Sequence, residues 1–153
     1  MKVYYSYNQI KSFQLEIVRQ LAKDSYRPDL IVGLSRGGLI TAVELSYYLE
    51  VPMMPLKVQL RDGDPRSNQQ LDSVVKGARR LLIVDDINDT GATLEAVIDS
   101  YSPHADTEIK TAVLIDNSSS RFSVNYAGYT INKLDNPEWC VFPWENWWHT
   151  ADK

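Results

Sequence analysis

Between Arg80 and Asp85 the chain places four large aliphatic residues in a row, Leu81 to Val84. A strand that is apolar on both faces is stable only where both faces are covered, as inside a parallel sheet flanked by helices. The same signature opens at Asp29, where a β-forming run through Leu34 ends in the turn Ser35-Arg-Gly-Gly38 and a helical stretch from Leu39 to Leu49 follows. Ahead of it, Ile10, Phe13, Ile17, Val18 and Leu21 recur in threes and fours, which predicts an amphipathic helix from Ser6 to Lys23 with Leu15 off its apolar stripe. Further strands are expected at Met53 to Leu60, Glu108 to Ile115 and, more weakly, Tyr129 to Lys133, with a helix from Thr93 to Tyr101 stopped by Pro103. Strands alternating with helices predict an α/β fold with a doubly wound, mainly parallel sheet. In such sheets ligands sit at the carboxyl ends of strands, where both glycine turns fall.

A length of 153 residues with 44% apolar content suits one domain spanning 1–153. The net charge of −4 leaves no basic excess to hold a nucleic-acid backbone. Cys140 is the lone cysteine, has no metal-ligand spacing around it and reads as a small semi-buried hydrophobe in a reducing compartment. No stretch is apolar enough to span a membrane and the start carries no signal-peptide core, so a cytoplasmic protein is expected. The polar segment from Arg61 to Gln70 predicts a long surface loop. All four tryptophans lie between Trp139 and Trp148, a density of flat rings that suits either packing, on the domain or on a subunit neighbour, or stacking against a planar base.

The segment from Asp85 to Thr93 carries the chemistry. Asp85 and Asp86 end a strand, Asp89 follows, and Thr90, Gly91, Ala92 and Thr93 open a helix. Free N–H groups at a helix start, with two hydroxyls and a glycine, form a phosphate cradle. Three carboxylates beside a pure phosphate site would only repel the ligand. A phosphorylated sugar resolves the conflict, because it offers hydroxyls to the carboxylates and brings magnesium to offset charge. The second turn, with Ser35, Arg36 and Gly37, combines close backbone approach with a fork for phosphate and reads as a diphosphate loop. A receiver domain would place its acidic pair after the first strand rather than about the third, and neither a Walker lysine nor a three-glycine dinucleotide fingerprint is present.

These residues resemble the type I phosphoribosyltransferases, whose signature is an apolar strand, two acids and Asp-Thr-Gly-x-Thr, matched here from Ile83 to Thr93. More narrowly the chain resembles the bacterial xanthine-guanine enzymes, through Gly33 to Leu39 and through Trp139 to Glu145, which is similar to their closing Trp-x-x-x-Pro-Trp-Asp. The resemblance spans about residues 8 to 146 and implies transfer of phosphoribose from 5-phosphoribosyl-1-diphosphate to guanine, xanthine or hypoxanthine, in purine salvage. It implies that Asp85 and Asp86 hold the ribose hydroxyls directly or through Mg2+, that Asp89 is the general base or proton relay, and that Thr90 to Thr93 take the 5′-phosphate. Ser35, Arg36 and Gly37 would hold diphosphate. Trp139 would stack on the base, with Cys140 and Asn117 beside it, under a small C-terminal aromatic hood in a homo-oligomer.

Two departures bear on the acceptor. The family's lysine for the 6-oxo group stands at the end of the strand after the phosphate helix, where this chain has Asp116 and Asn117. An amide bonds an oxo group and an aspartate prefers an amino group, so the base stays open among hypoxanthine, guanine, xanthine and adenine. The loop from Arg61 to Gln70 lacks the family's small-aromatic pair. Two other readings follow from the same residues: a non-catalytic sensor of phosphoribosyl diphosphate or a nucleotide, and a transferase for another base.

Overall fold

The computed structural model describes residues 1–58, 71–75, 77–101 and 106–149. Its elements are β1 (Lys2–Tyr4), α1 (Tyr7–Lys23), β2 (Leu30–Ser35), α2 (Gly38–Leu49), β3 (Met53–Lys57), α3 (Leu71–Val74), β4 (Arg80–Asn88), α4 (Ala92–Asp99), β5 (Glu108–Asn117), β6 (Tyr126–Ile131) and β7 (Trp139–Val141), then a short 3-10 turn at Pro143–Glu145.

Helix α1 begins where its side chains can close its own first turn. Ser6 Oγ accepts from the Gln9 amide at 3.2 Å while Gln9 Oε1 accepts from the Ser6 amide at 2.9 Å. Ile10, Ile17 and Leu21 are buried and Leu15 faces solvent, as the spacing predicts.

Strands β2 to β6 form one sheet in the order β3-β2-β4-β5-β6, with every described pairing parallel. Helices α1 and α2 contribute Ile17, Leu21, Ala42 and Leu45 to the core on one face, and α3 and α4 contribute Leu71, Leu94 and Val97 to the other. Leu81, Leu82, Ile83 and Val84 are each 0% exposed, which accounts for the apolar run: both of its faces are inside. From β2 the chain turns to β3 on one side, then crosses to β4 on the other. The winding therefore reverses between β2 and β4, and the two glycine turns leave adjacent strands at that switch point.

Several boundaries differ from the sequence expectation for physical reasons. Strand β4 continues past its apolar run, because Ile87 and Asn88 pair with Ile115 and Asp116 of β5. Strand β6 starts at Tyr126 rather than Tyr129, since Asn125 Oδ1 accepts from the Thr111 amide at 2.9 Å and Thr111 Oγ1 from the Asn125 amide at 3.2 Å, pinning its entrance. Gly128 interrupts the strand signal, but a Cβ there would lie 2.4 Å from Phe13 Cβ, so α1 crosses β6 only over a glycine. Helix α4 is displaced one residue toward the turn at its start, and α3 was not expected. The predicted loop from Arg61 to Gln70 and the end of the predicted strand at Leu60 lie outside the described residues.

A second, two-stranded sheet joins the chain's ends: β1 pairs parallel with β7, Val3 beside Cys140. Tyr5 and Trp144 both stack on Phe142, at 6.2 Å and 5.0 Å between ring centroids. The aromatic hood is thus held to the body by the first residues of the chain. No helix among the described residues is long and apolar enough to cross a membrane.

Candidate active site

The turn after β2 lies flush against the end of β4. A Cβ on Gly37 would fall 2.0 Å from Asp86 Oδ2, and one on Gly38 would fall 2.3 Å from the Val84 carbonyl oxygen. Glycine at both positions lets the loop from Ser35 to Gly38 rest directly on the acidic pair. Arg36 is exposed at the tip, and α2 starts behind it with no side-chain cap on its first amides. The peptide bond between Ser35 and Arg36 is cis.

The turn after β4 is shaped by Gly91, which holds φ +91° and whose Cβ would lie 2.7 Å from the Phe122 amide nitrogen. No side chain caps α4, although Thr90 Oγ1 accepts from the Ala92 amide at 3.2 Å. The remaining first-turn amides face the cavity of about 190 Å³ wrapped by residues 85–94. A larger cavity, about 690 Å³, lies at the amino ends of the strands among Arg27, Asp29, Arg79 and Glu108. Its charges are mixed and neither glycine turn reaches it, so volume alone does not mark the reactive end.

Asp85 and Asp86 are strained electrostatically. Burial pushes the Asp85 carboxyl well above the usual carboxylate range, with its neighbour Asp86 adding to the rise. Burial also raises Asp86, and the charge of Glu145 from the C-terminal turn adds to it. Each carboxylate takes a main-chain amide, Asp86 N–H to Asp85 Oδ1 at 2.9 Å and Ile87 N–H to Asp86 Oδ1 at 2.8 Å. Asp85 is buried and Asp86 partly buried, so two carboxyl groups stand side by side with little water around them. Such a pair suits a hard divalent ion, and Mg2+ commonly takes one or two carboxylates and completes its shell with water and phosphate. Among the described residues no cluster of three acidic, histidine or cysteine side chains could hold a metal by itself.

Beyond Thr90 the site is closed by residues from β5, β6 and β7. Asn117 is 6% exposed and its amide is occupied by the chain itself. Nδ2 donates to the Asp89 carbonyl at 2.9 Å, while Oδ1 accepts from the Lys133 amide at 3.0 Å and the Ser119 hydroxyl at 2.8 Å. Asn117 therefore ties the Asp89 turn to the end of β6. Asp116 Oδ1 accepts from Asn88 Nδ2 at 2.8 Å.

Lys133 forms an ion pair with Asp89, Nζ to Oδ2 at 3.0 Å. Burial lifts the Cys140 thiol above its ordinary value, Glu138 and Asp89 add to the rise, and Lys133 opposes it, so β7 lies within the electrostatic reach of the pair. The Trp139 ring is 66% exposed, as are Trp147 at 72% and Trp148 at 59%, the last two meeting edge to face at 6.0 Å.

The structure thus brings Ser35 to Gly37 onto Asp86, lines one cavity with Asp85 to Thr93, and sets Asp89, Asn117 and Cys140 around Lys133. Lys133 is the residue that sequence reasoning missed. No lysine stands at the end of β5, but the next strand delivers one to the same edge. Its position just past a strand of a parallel sheet was the available signal, because all carboxyl ends of such strands collect on one side.

A model of the phosphoribosyl transferase domain matches residues 6–147. A hypoxanthine-guanine phosphoribosyltransferase of Streptococcus pneumoniae is 28% identical over 88% of this chain and 79% of its own length. An adenine phosphoribosyltransferase of Desulfosudis oleivorans is 31% identical over 61% of this chain and 62% of its own length. The crystal structure of a purine phosphoribosyltransferase from Pyrococcus horikoshii superposes with a TM-score of 0.75 at 32% identity, covering 95% of this chain and 94% of that one.

Proposed function

The chain belongs to the phosphoribosyl transferase family, and from that premise we propose that it transfers the 5-phosphoribosyl group from 5-phosphoribosyl-1-diphosphate to guanine, xanthine or hypoxanthine, releasing diphosphate. One observation carries the reading. The Ser35–Gly38 turn and the Asp85–Thr93 turn touch through Gly37 and Asp86, so a diphosphate loop and a sugar-phosphate loop serve a single donor.

In this account the open amides at the start of α4, with Thr90 and Thr93, take the 5′-phosphate, and Gly91 lets the backbone approach it. Asp85 and Asp86 hold the ribose hydroxyls and would hold Mg2+, which when bound neutralises charge on the departing diphosphate. Ser35, Arg36 and Gly37 bind that diphosphate, the guanidinium offering parallel N–H donors. As the bond from ribose C1 breaks, positive charge grows on the sugar above the acidic pair, whose field stabilises it. Asp89 accepts the proton released by the attacking base nitrogen. Trp139 offers a ring face to the base, worth about 1–3 kcal/mol of stacking and an orientation for attack. A homo-oligomer and a cytoplasmic setting fit this role.

Diphosphate release should be followed with the donor, Mg2+ and a panel of purine and pyrimidine bases. Release with an oxopurine supports the assignment. Binding of the donor without release for any base would replace it with a sensor.

A further inference from the structure

A segment outside both glycine turns leans on the start of α4. The loop between β5 and β6 passes so close to Gly91 that a Cβ there would fall 2.7 Å from the Ser120 hydroxyl and 2.7 Å from the Phe122 amide nitrogen. Asn88, at the end of β4 and 2% exposed, fastens that loop: Nδ2 donates to the Phe122 carbonyl at 2.8 Å, and Oδ1 accepts from the Ser120 hydroxyl at 3.0 Å. Arg121 stands between the two fastened residues.

Arg121 meets the first turn of α4 twice. Its backbone N–H donates to the Thr90 carbonyl at 3.2 Å. A trans peptide points its N–H opposite to its C=O, so the Gly91 N–H is turned to the side away from Arg121. The Arg121 side chain reaches further along the helix, where Nε donates to Oε2 of Glu95, the acidic residue of that first turn. A carboxylate there is drawn to the same positive helix end that would hold a phosphate, and it repels a phosphate bound to it. Folding gives little reason for the pair, because side chains 64% and 45% exposed form ion pairs that contribute little in water.

We propose that Arg121 is a positioning residue for the 5′-phosphate: its guanidinium cancels the Glu95 charge one turn from the open amides, and the seat then admits an anion. Arg121 acts through Glu95 and does not touch the ligand. The inference rests on the phosphate seat of the reading above and not on transfer itself.

The test is the Kd of ribose 5-phosphate by isothermal titration in low salt and in 1 M NaCl, with the donor KM, base KM and kcat. Wild type, Arg121→Ala, Glu95→Gln and the double variant are compared. Arg121→Ala should weaken ribose 5-phosphate about 5-fold in low salt and much less in 1 M NaCl, where charges are screened beyond about 3 Å. The donor KM should follow, with kcat and the base KM within about 2-fold. The double variant should return to within about 2-fold of wild type, because the charge that Arg121 cancels is gone. A double variant as weak as Arg121→Ala would overturn the proposal, as would a loss undiminished in 1 M NaCl or no loss at all. Should Arg121→Ala fail to fold, Glu95→Gln decides: it should tighten ribose 5-phosphate about 3-fold in low salt, and unchanged or weaker binding overturns the idea. Turnover without this binding pattern removes the inference and leaves the transferase; the pattern without diphosphate release for any base removes the transferase and leaves the inference.

Discussion

Gly37→Ala is a one-methyl perturbation of the contact between the two turns. Its Cβ would lie 2.0 Å from Asp86 Oδ2 and 2.4 Å from Asp86 Cγ. Side-chain carbons do not come nearer than 3.0 Å to such atoms, so loop and carboxylate must separate by about 1 Å at least. Asp86 has little freedom to yield, because its Oδ1 holds the Ile87 amide at 2.8 Å, and a rotation would forfeit that bond. Losing a charge-assisted bond of this kind costs about 1.5–3 kcal/mol. If the loop yields instead, a displacement of about 1 Å at the reacting groups lowers turnover about 10²-fold. The assay is steady-state diphosphate release, with circular dichroism confirming the fold. Gly77→Ala is the control: Gly77 has φ +78° and an added Cβ would meet nothing within 4 Å among the described residues, so alanine there strains the backbone without touching the site. That variant should melt lower at unchanged kcat. Gly37→Ala with activity within about 3-fold of wild type would refute the claim that the loops act as one site.

Asp86→Asn should cut turnover about 10²-fold or more while the fold persists, measured by diphosphate release and melting. Trp139→Ala should raise the KM for the base by about 5- to 150-fold, corresponding to 1–3 kcal/mol of stacking, and move the donor KM little. Because burial raises Asp85 and Asp86 in the fold, the stability tied to their protonation is complete below the ordinary carboxylate range and is lost as pH climbs through the raised values. Asp85→Asn, which stays neutral, should therefore gain on wild type in metal-free melts as pH rises from about 4 to 8; a constant difference would contradict the raised values. Asn117→Ala should destabilise by about 1–3 kcal/mol, since the Asp89 carbonyl, the Lys133 amide and Ser119 lose their common partner.

What the sequence makes legible follows from local periodicity. Leu81 to Val84 announces a strand covered on both sides, and the recurrence of Ile10, Phe13, Ile17, Val18 and Leu21 announces helix α1, because neighbours along the chain decide both. The proposed donor half of the site can be named from the sequence for the same reason: its residues are contiguous within 35–38 and 85–93. The proposed acceptor half draws on three strands far apart in sequence. Lys133 reaches Asp89 across 44 positions, and no local pattern records that meeting. Likewise Asn117 reads as a free amide until its partners on Asp89, Ser119 and Lys133 are seen. The pairing of β1 with β7 is equally hidden, since Lys2–Tyr4 is too short to signal a strand and its partner lies at the other end of the chain. Gly128 shows the converse, a weak local signal overruled by the close crossing of α1.

The most direct test of the shared donor site is a crystal structure with 5-phosphoribosyl-1-diphosphate and Mg2+. The diphosphate should lie on Ser35, Arg36 and Gly37, the 5′-phosphate on the amides from Thr90 to Thr93, and the ribose over Asp85 and Asp86. Density for the donor in the cavity among Arg27, Arg79 and Glu108 instead would contradict the account.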